Sequence, residues 1–236
     1  MKKILVLLLV LVLAIALCAC DSADYKKAVK AYAKEDYDTA REIFSELGNY
    51  EDSATMVKAC DYEIACQLLD AGKQEEALAL FEALGNYKDS ATKISACNYK
   101  TACQLLEAGQ LQQARTLFEE LGDYEDSADK LKECKVAEID QILQGDWQAV
   151  DGVIVFHYNF SSGRFSAKLS ISGSSITNEG SYRIDADAKE IYVCYDYINS
   201  ATGKTPNTKE QLLFTYTYDG SDFTMKSTVD MVVTKK

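Results

Sequence analysis

The stretches LFEALGNYKDS (Leu80–Ser90) and LFEELGDYEDS (Leu117–Ser127) decide how this chain is read. A third version, IFSELGNYEDS, spans Ile43 to Ser53. Phe44, Phe81 and Phe118 stand 37 residues apart, as do Tyr50, Tyr87 and Tyr124. Residues 53–89 and 90–126 share 21 identities in 37 positions. A fixed period of this length marks stacked supersecondary units, each unable to bury its apolar face alone. Within a unit, Ser53, Ser90 and Ser127 follow an Asp and precede a long apolar-periodic run, so they read as helix N-caps. A first helix over about 54–71 breaks at Gly72; a shorter one over 74–84 stops at Gly85, a residue suited to the left-handed helix end. Gly109 and Gly122 repeat these stops, and Glu35-Asp36 replaces the turn glycine in the first unit.

Working outward, residues 128–144 repeat a first helix with no second, and Val136, Ile139, Ile142 and Leu143 give it an apolar stripe. This reads as a helix closing an α-solenoid of helix-pair repeats over residues 21–144. After Gly145 the periodicity changes from helical to alternating. Seven strands are expected, with apolar faces at Ile154–Phe160, Phe165–Ile171, Tyr182–Ile184, Ile191–Tyr197, Leu212–Tyr218, Phe223–Met225 and Val229–Val233. Residues 145–236 therefore read as a small antiparallel β-barrel, with a β-sandwich as the alternative.

The N-terminal 20 residues read as a processing signal. Lys2 and Lys3 precede an apolar run from Ile4 to Leu17, too short for a comfortable membrane span, which closes with Leu17-Cys18-Ala19-Cys20. This resembles a bacterial lipoprotein signal. The resemblance implies cleavage before Cys20, acylation of Cys20 (palmitate among the chains), and attachment to the extracytoplasmic face of a cell membrane through lipid only.

The helix pattern resembles the tetratricopeptide family. Ala40, Phe44 and Leu47 match its second-helix signature, as do Ala77, Phe81, Leu84 and Ala114, Phe118, Leu121; Ala28, Ala65 and Ala102 match its first-helix contact. The period of 37 and Asp52, Asp89 and Asp126, where the family usually has proline, depart from it. The resemblance implies a concave face lined by first helices, on which Tyr25, Tyr62, Cys66, Leu69, Tyr99, Cys103 and Leu106 would hold a protein or peptide. The opening Gly145-Asp146-Trp147 resembles the start of lipocalin-type barrels, where the tryptophan plugs one end.

Charge narrows the function classes. Net charge is −12, and residues 21–145 carry 14 Lys and Arg against 26 Asp and Glu. An acidic helical half does not suit nucleic acid, which requires basic patches. Cys60, Cys97 and Cys134 share one repeat position, and Cys66 and Cys103 another. Cysteines six apart on a helix point about 240° apart and cannot bridge within it, so they read as packing residues. No CxxC pair occurs and His157 is the sole histidine, so no metal site is expected. His157 and Cys194 both fall off the apolar faces, and no nucleophile or phosphate-loop motif is present. The expectation is a non-enzymatic scaffold without a cofactor that binds a protein or peptide. The alternative is a small-ligand carrier, seated among the inner tyrosines of the β domain (Tyr158, Tyr182, Tyr195, Tyr197, Tyr216 and Tyr218).

Overall fold

The computed structural model describes residues 21–200, 203–207 and 209–236. The chain divides into two compact units, with the boundary between Gln104 and Leu105. Among the described residues the elements are seven helices followed by ten strands. Helix α1 is described over residues 21–32. It is followed by α2 (Tyr37–Leu47), α3 (Ser53–Asp70), α4 (Gln74–Leu84), α5 (Ser90–Glu107), α6 (Leu111–Leu121) and α7 (Ser127–Leu143). The repeat is thus real: α1/α2, α3/α4 and α5/α6 are equivalent pairs, and α7 repeats a first helix.

Each pair buries the same side chains. Phe44, Phe81 and Phe118 are all 0% exposed. Ala28 and Ala40 pack with Ile43, Phe44 and Cys60; Tyr62, Ala65 and Leu69 pack with Ala77, Phe81 and Cys97. The cysteine of the next first helix therefore closes each core, a use suited to a small apolar side chain. Burial pushes the Cys60 and Cys134 thiols up to about 11. The loop between pairs repeats down to its dihedrals. Gly48, Gly85 and Gly122 have φ of 57°, 58° and 57°, and Glu51, Lys88 and Glu125 each have φ 49°. Glu35 takes the left-handed position (φ 63°) that Gly72 and Gly109 take in later copies.

The capping expectation is corrected. Ser53, Ser90 and Ser127 are first helical residues and fully buried, and the cap positions before α3 and α7 are Asp52 and Asp126, whose side chains make no capping bond. Ser90 turns its hydroxyl to the Tyr87 carbonyl (2.6 Å). The aspartate is spent otherwise, as shown below.

Eight strands close a barrel in the order β1-β10-β9-β8-β5-β4-β3-β2, every neighbouring pair antiparallel. They are β1 (Gly145–Asp151), β2 (Ile154–Ser161), β3 (Arg164–Ile171), β4 (Ser174–Asp185), β5 (Glu190–Tyr195), β8 (Gln211–Tyr218), β9 (Phe223–Ser227) and β10 (Val232–Lys235). Closure removes free sheet edges and decides against the sandwich. A separate hairpin, β6 (Tyr197–Ser200) with β7 (Gly203–Pro206), interrupts the meander between β5 and β8. Tyr197 therefore does not continue the inner face of β5; it lies on the hairpin and is exposed. Val229 sits in the turn between β9 and β10, likewise exposed. Gly180 of β4 lies opposite Tyr195, and a Cβ there would meet the Cys194 carbonyl oxygen at 2.0 Å, so only glycine fits.

Helix α7 does more than end the repeats. Ile139 and Leu143 are buried in the barrel's own core with Trp147, Phe160 and Phe214, and Val136 and Ile142 pack against it. The Trp147 indole N–H donates to the Leu143 carbonyl at 2.7 Å. Tyr182 donates to Asp140 (2.5 Å), and Gln144 donates to the Tyr182 hydroxyl (2.9 Å). The texture change at residue 145 marks where helix gives way to strand. The compact unit holding the barrel starts at Leu105 and includes α6 and α7.

Candidate functional site

The first-helix tyrosines are anchored. The Tyr62 hydroxyl donates to Asp89 and the Tyr25 hydroxyl to Asp52, each 27 residues away. Each ring stands edge-on between a second-helix Phe and a loop Tyr: Tyr25 with Phe44 (5.7 Å) and Tyr50 (5.9 Å), Tyr62 with Phe81 (5.9 Å) and Tyr87 (6.0 Å). The bond to Asp89 raises the Tyr62 phenol and lowers the Asp89 carboxyl. The aspartates that replace proline thus latch the next loop onto the preceding first helix. Tyr62 (9% exposed) and Leu69 (5%) belong to the interior, so the expectation that they line a contact face is corrected. Tyr25, Cys66, Tyr99, Cys103 and Leu106 are half-buried. Cys20 lies outside the described residues.

The inner tyrosines of the barrel behave differently. Alternation along β2 and β5 turns Tyr158 and Tyr195 inward, and both are buried. Tyr158 packs against Phe214 (4.9 Å) and Phe165 (6.1 Å); Tyr195 packs against Phe165 (5.9 Å). Burial pushes both phenols up to about 12. Among the described residues neither hydroxyl has a hydrogen-bond partner, and neither oxygen is sealed: although the rings are buried, the hydroxyls keep accessible surface. Both border a cavity of about 280 Å³, whose wall also includes Phe156, Ala167, Leu169, Ile176 and Leu213, together with Lys168. Asn178 supplies a polar group, and it accepts a hydrogen bond from the Asn199 backbone N–H at 2.7 Å, which draws the β6 hairpin over the cavity rim.

Register places this cavity at the barrel end away from α7, among the β1–β2, β3–β4 and β9–β10 turns. Eight large apolar residues exposed at the surface cluster at the same end: Val150 and Val153, Ile171 and Ile176, Tyr197 and Ile198, Val229 and Val232. At the opposite end Trp147 and Leu143 fill the interior. The cavity is thus closed below and open through an apolar rim. Tyr216 is buried nearer α7, while Tyr182 and Tyr218 satisfy their hydroxyls on Asp140 and the Gly220 carbonyl.

His157 and Cys194 lie on β2 and β5, which β3 and β4 separate. His157 Nδ1 lies 3.1 Å from Lys236 Nζ, and among the described residues no carboxylate is hydrogen-bonded to the ring to orient it as a base. No family model matches this chain, and neither a curated protein nor a solved structure is significantly similar to it.

Proposed function

We propose that this protein is a non-enzymatic, lipid-anchored extracytoplasmic binding protein whose barrel takes a small, mainly apolar ligand bearing a hydrogen-bonding group. One observation carries this reading: two tyrosines with buried rings and partnerless hydroxyls line a mainly apolar cavity at the open end of an otherwise packed barrel. A ligand oxygen between Tyr158 and Tyr195 would satisfy both, and the aromatic and aliphatic walls would supply affinity through burial. The cavity holds about nine groups of water size, at ~30 Å³ each, which limits what can be enclosed. The anchor rests on the apolar run from Ile4 to Leu17 and on Cys20 behind Leu17. Labelled palmitate entering the wild-type chain but not Cys20→Ala would support the anchor.

The barrel reading is tested with a hydrophobic fluorescent probe, 8-anilinonaphthalene-1-sulfonate. The full chain is expected to bind it saturably, and Ala167→Trp, which fills the cavity, to lose it while keeping its melting temperature within a few degrees. Equal probe binding by both would overturn the assignment. A second reading gives the tetratricopeptide-like repeats a protein or peptide partner. Five of the seven residues expected on that face are half-buried rather than sealed, which leaves them some contact area.

A further inference from the structure

The repeat builds the same cleft twice, and one copy has been altered. Where a second helix begins beside the following first helix, a hollow forms. In the first compact unit it lies at the start of α4 and takes Thr101 and Gln104 from α5, with a volume of about 230 Å³. In the second it lies at the start of α6, takes Glu138 and Gln141 from α7, and grows to about 460 Å³. Glu138 and Gln141 stand 37 residues after Thr101 and Gln104.

The altered copy carries an unusual carboxylate. Glu138 is only 6% exposed, in a position held by Ile64 and Thr101 in the other copies. Its Oε2 accepts from Arg115 Nη1 at 2.9 Å, while Oε1 is buried with no partner. Arg115 Nε is unpartnered as well, its nearest carboxylate being Glu119 at 3.8 Å. A half-satisfied buried ion pair is costly, and the repeat has a cheaper solution available in Leu78 and Thr101. Around the carboxylate the wall is amide: Gln110, Gln112, Gln113 and Gln141, with Tyr218 at its edge. No side chain caps α6, so its first N–H groups also point toward this end.

We infer that this cleft binds a neutral, hydroxyl-rich ligand, a saccharide, with Glu138 accepting one ligand O–H and the glutamines bridging others. Charge selects the class. An anion would meet Glu138, the one charged residue lining the cleft, and the pairing of Glu138 with Arg115 at 2.9 Å leaves it little net charge to hold a cation. Amide side chains donate and accept at once, as hydroxyls do, and a tyrosine ring offers a face for sugar C–H groups. A volume of about 460 Å³ falls within the usual range for small-ligand sites, roughly 300–1,000 Å³. This site is separate from the barrel cavity and stands or falls independently of it.

Saturation-transfer NMR on the full chain with glucose, N-acetylglucosamine and maltose tests the inference. Transfer from at least one saccharide is expected, weakened about fivefold to tenfold in Gln141→Ala, the loss of one hydrogen bond. It should be abolished in the double substitution Arg115→Leu with Glu138→Thr, which copies the preceding repeat. That double variant is expected to melt no lower than wild type, because it removes a half-satisfied charge and restores the Leu and Thr that the preceding repeat packs at these positions. Ala167→Trp should leave saccharide transfer unchanged. Cosedimentation with insoluble peptidoglycan separates a glycan chain from a free sugar as the source. Absence of transfer from every saccharide, undiminished transfer in the double variant, or preferential transfer from spermidine would overturn the inference.

Discussion

Tyr62 and Tyr158 are both buried, ring-packed tyrosines with phenols raised far above the ordinary value, yet they serve opposite ends. In the helical repeats the hydroxyl is tied to an aspartate 27 residues on, and Tyr25 with Asp52 repeats the bond. In the barrel the hydroxyl faces a cavity without a partner. The same residue type is consumed by architecture in one region and left available in the other. Burial alone therefore does not separate structural from binding tyrosines; the hydroxyl's partner does.

The comparison is broken most forcefully at its packed cores. Phe81→Ala removes a fully buried ring between Tyr62 and the α3–α5 core and should cost about 3–5 kcal/mol in denaturant unfolding. Leu143→Ala should cost about 2–5 kcal/mol and expose Trp147, giving a red shift in the fluorescence of the chain's single tryptophan. Next in size is the tyrosine pair itself. Tyr62→Phe deletes a made hydrogen bond and should cost about 1 kcal/mol; Tyr158→Phe deletes an unmade one and should be neutral or slightly stabilising. Equal costs would erase the distinction. Alkali sharpens it further. Phenols held at about 12 in Tyr158, Tyr195 and Tyr216, against 10 when unfolded, favour the neutral form in the native state. Their stabilising contribution is intact below pH 10 and disappears as pH climbs toward 12, so near-UV circular dichroism of the barrel should collapse in that window. The smallest effect is at Glu35: replacement by glycine at its left-handed position should stabilise by about 0.5–1 kcal/mol in thermal melts, bringing copy one into line with Gly72 and Gly109.

Much of the helical half was legible because each element was written three times. The bounds 74–84 of α4 follow from the apolar spacing and the two flanking glycines. The Tyr–Asp latch was readable too, since Tyr25, Tyr62 and Tyr99 share the period of Asp52, Asp89 and Asp126; reading the aspartate as part of a capping signal hid it. The barrel was harder. The first half of β4, Ser174 to Thr177, is polar apart from Ile176 and shows too little alternation to announce a strand. The stripe on α7 declared that Ile139 and Leu143 would be buried, but a stripe does not name what covers it. Nor does a linear pattern disclose which inward tyrosines find partners, because that depends on distances across the barrel. Glu138 was visible as a departure from Ile64 and Thr101, but its missing partner was not.

Because α7 serves as the stopper of the barrel while keeping the register of a first helix, the junction between the two architectures consists of one ordinary repeat motif. Gene duplication upstream of it would add whole 37-residue units, each arriving with its own latch, without any residue of the stopper having to change. The number of units is in that sense freely adjustable, and the barrel with its stopper is the part that stays fixed.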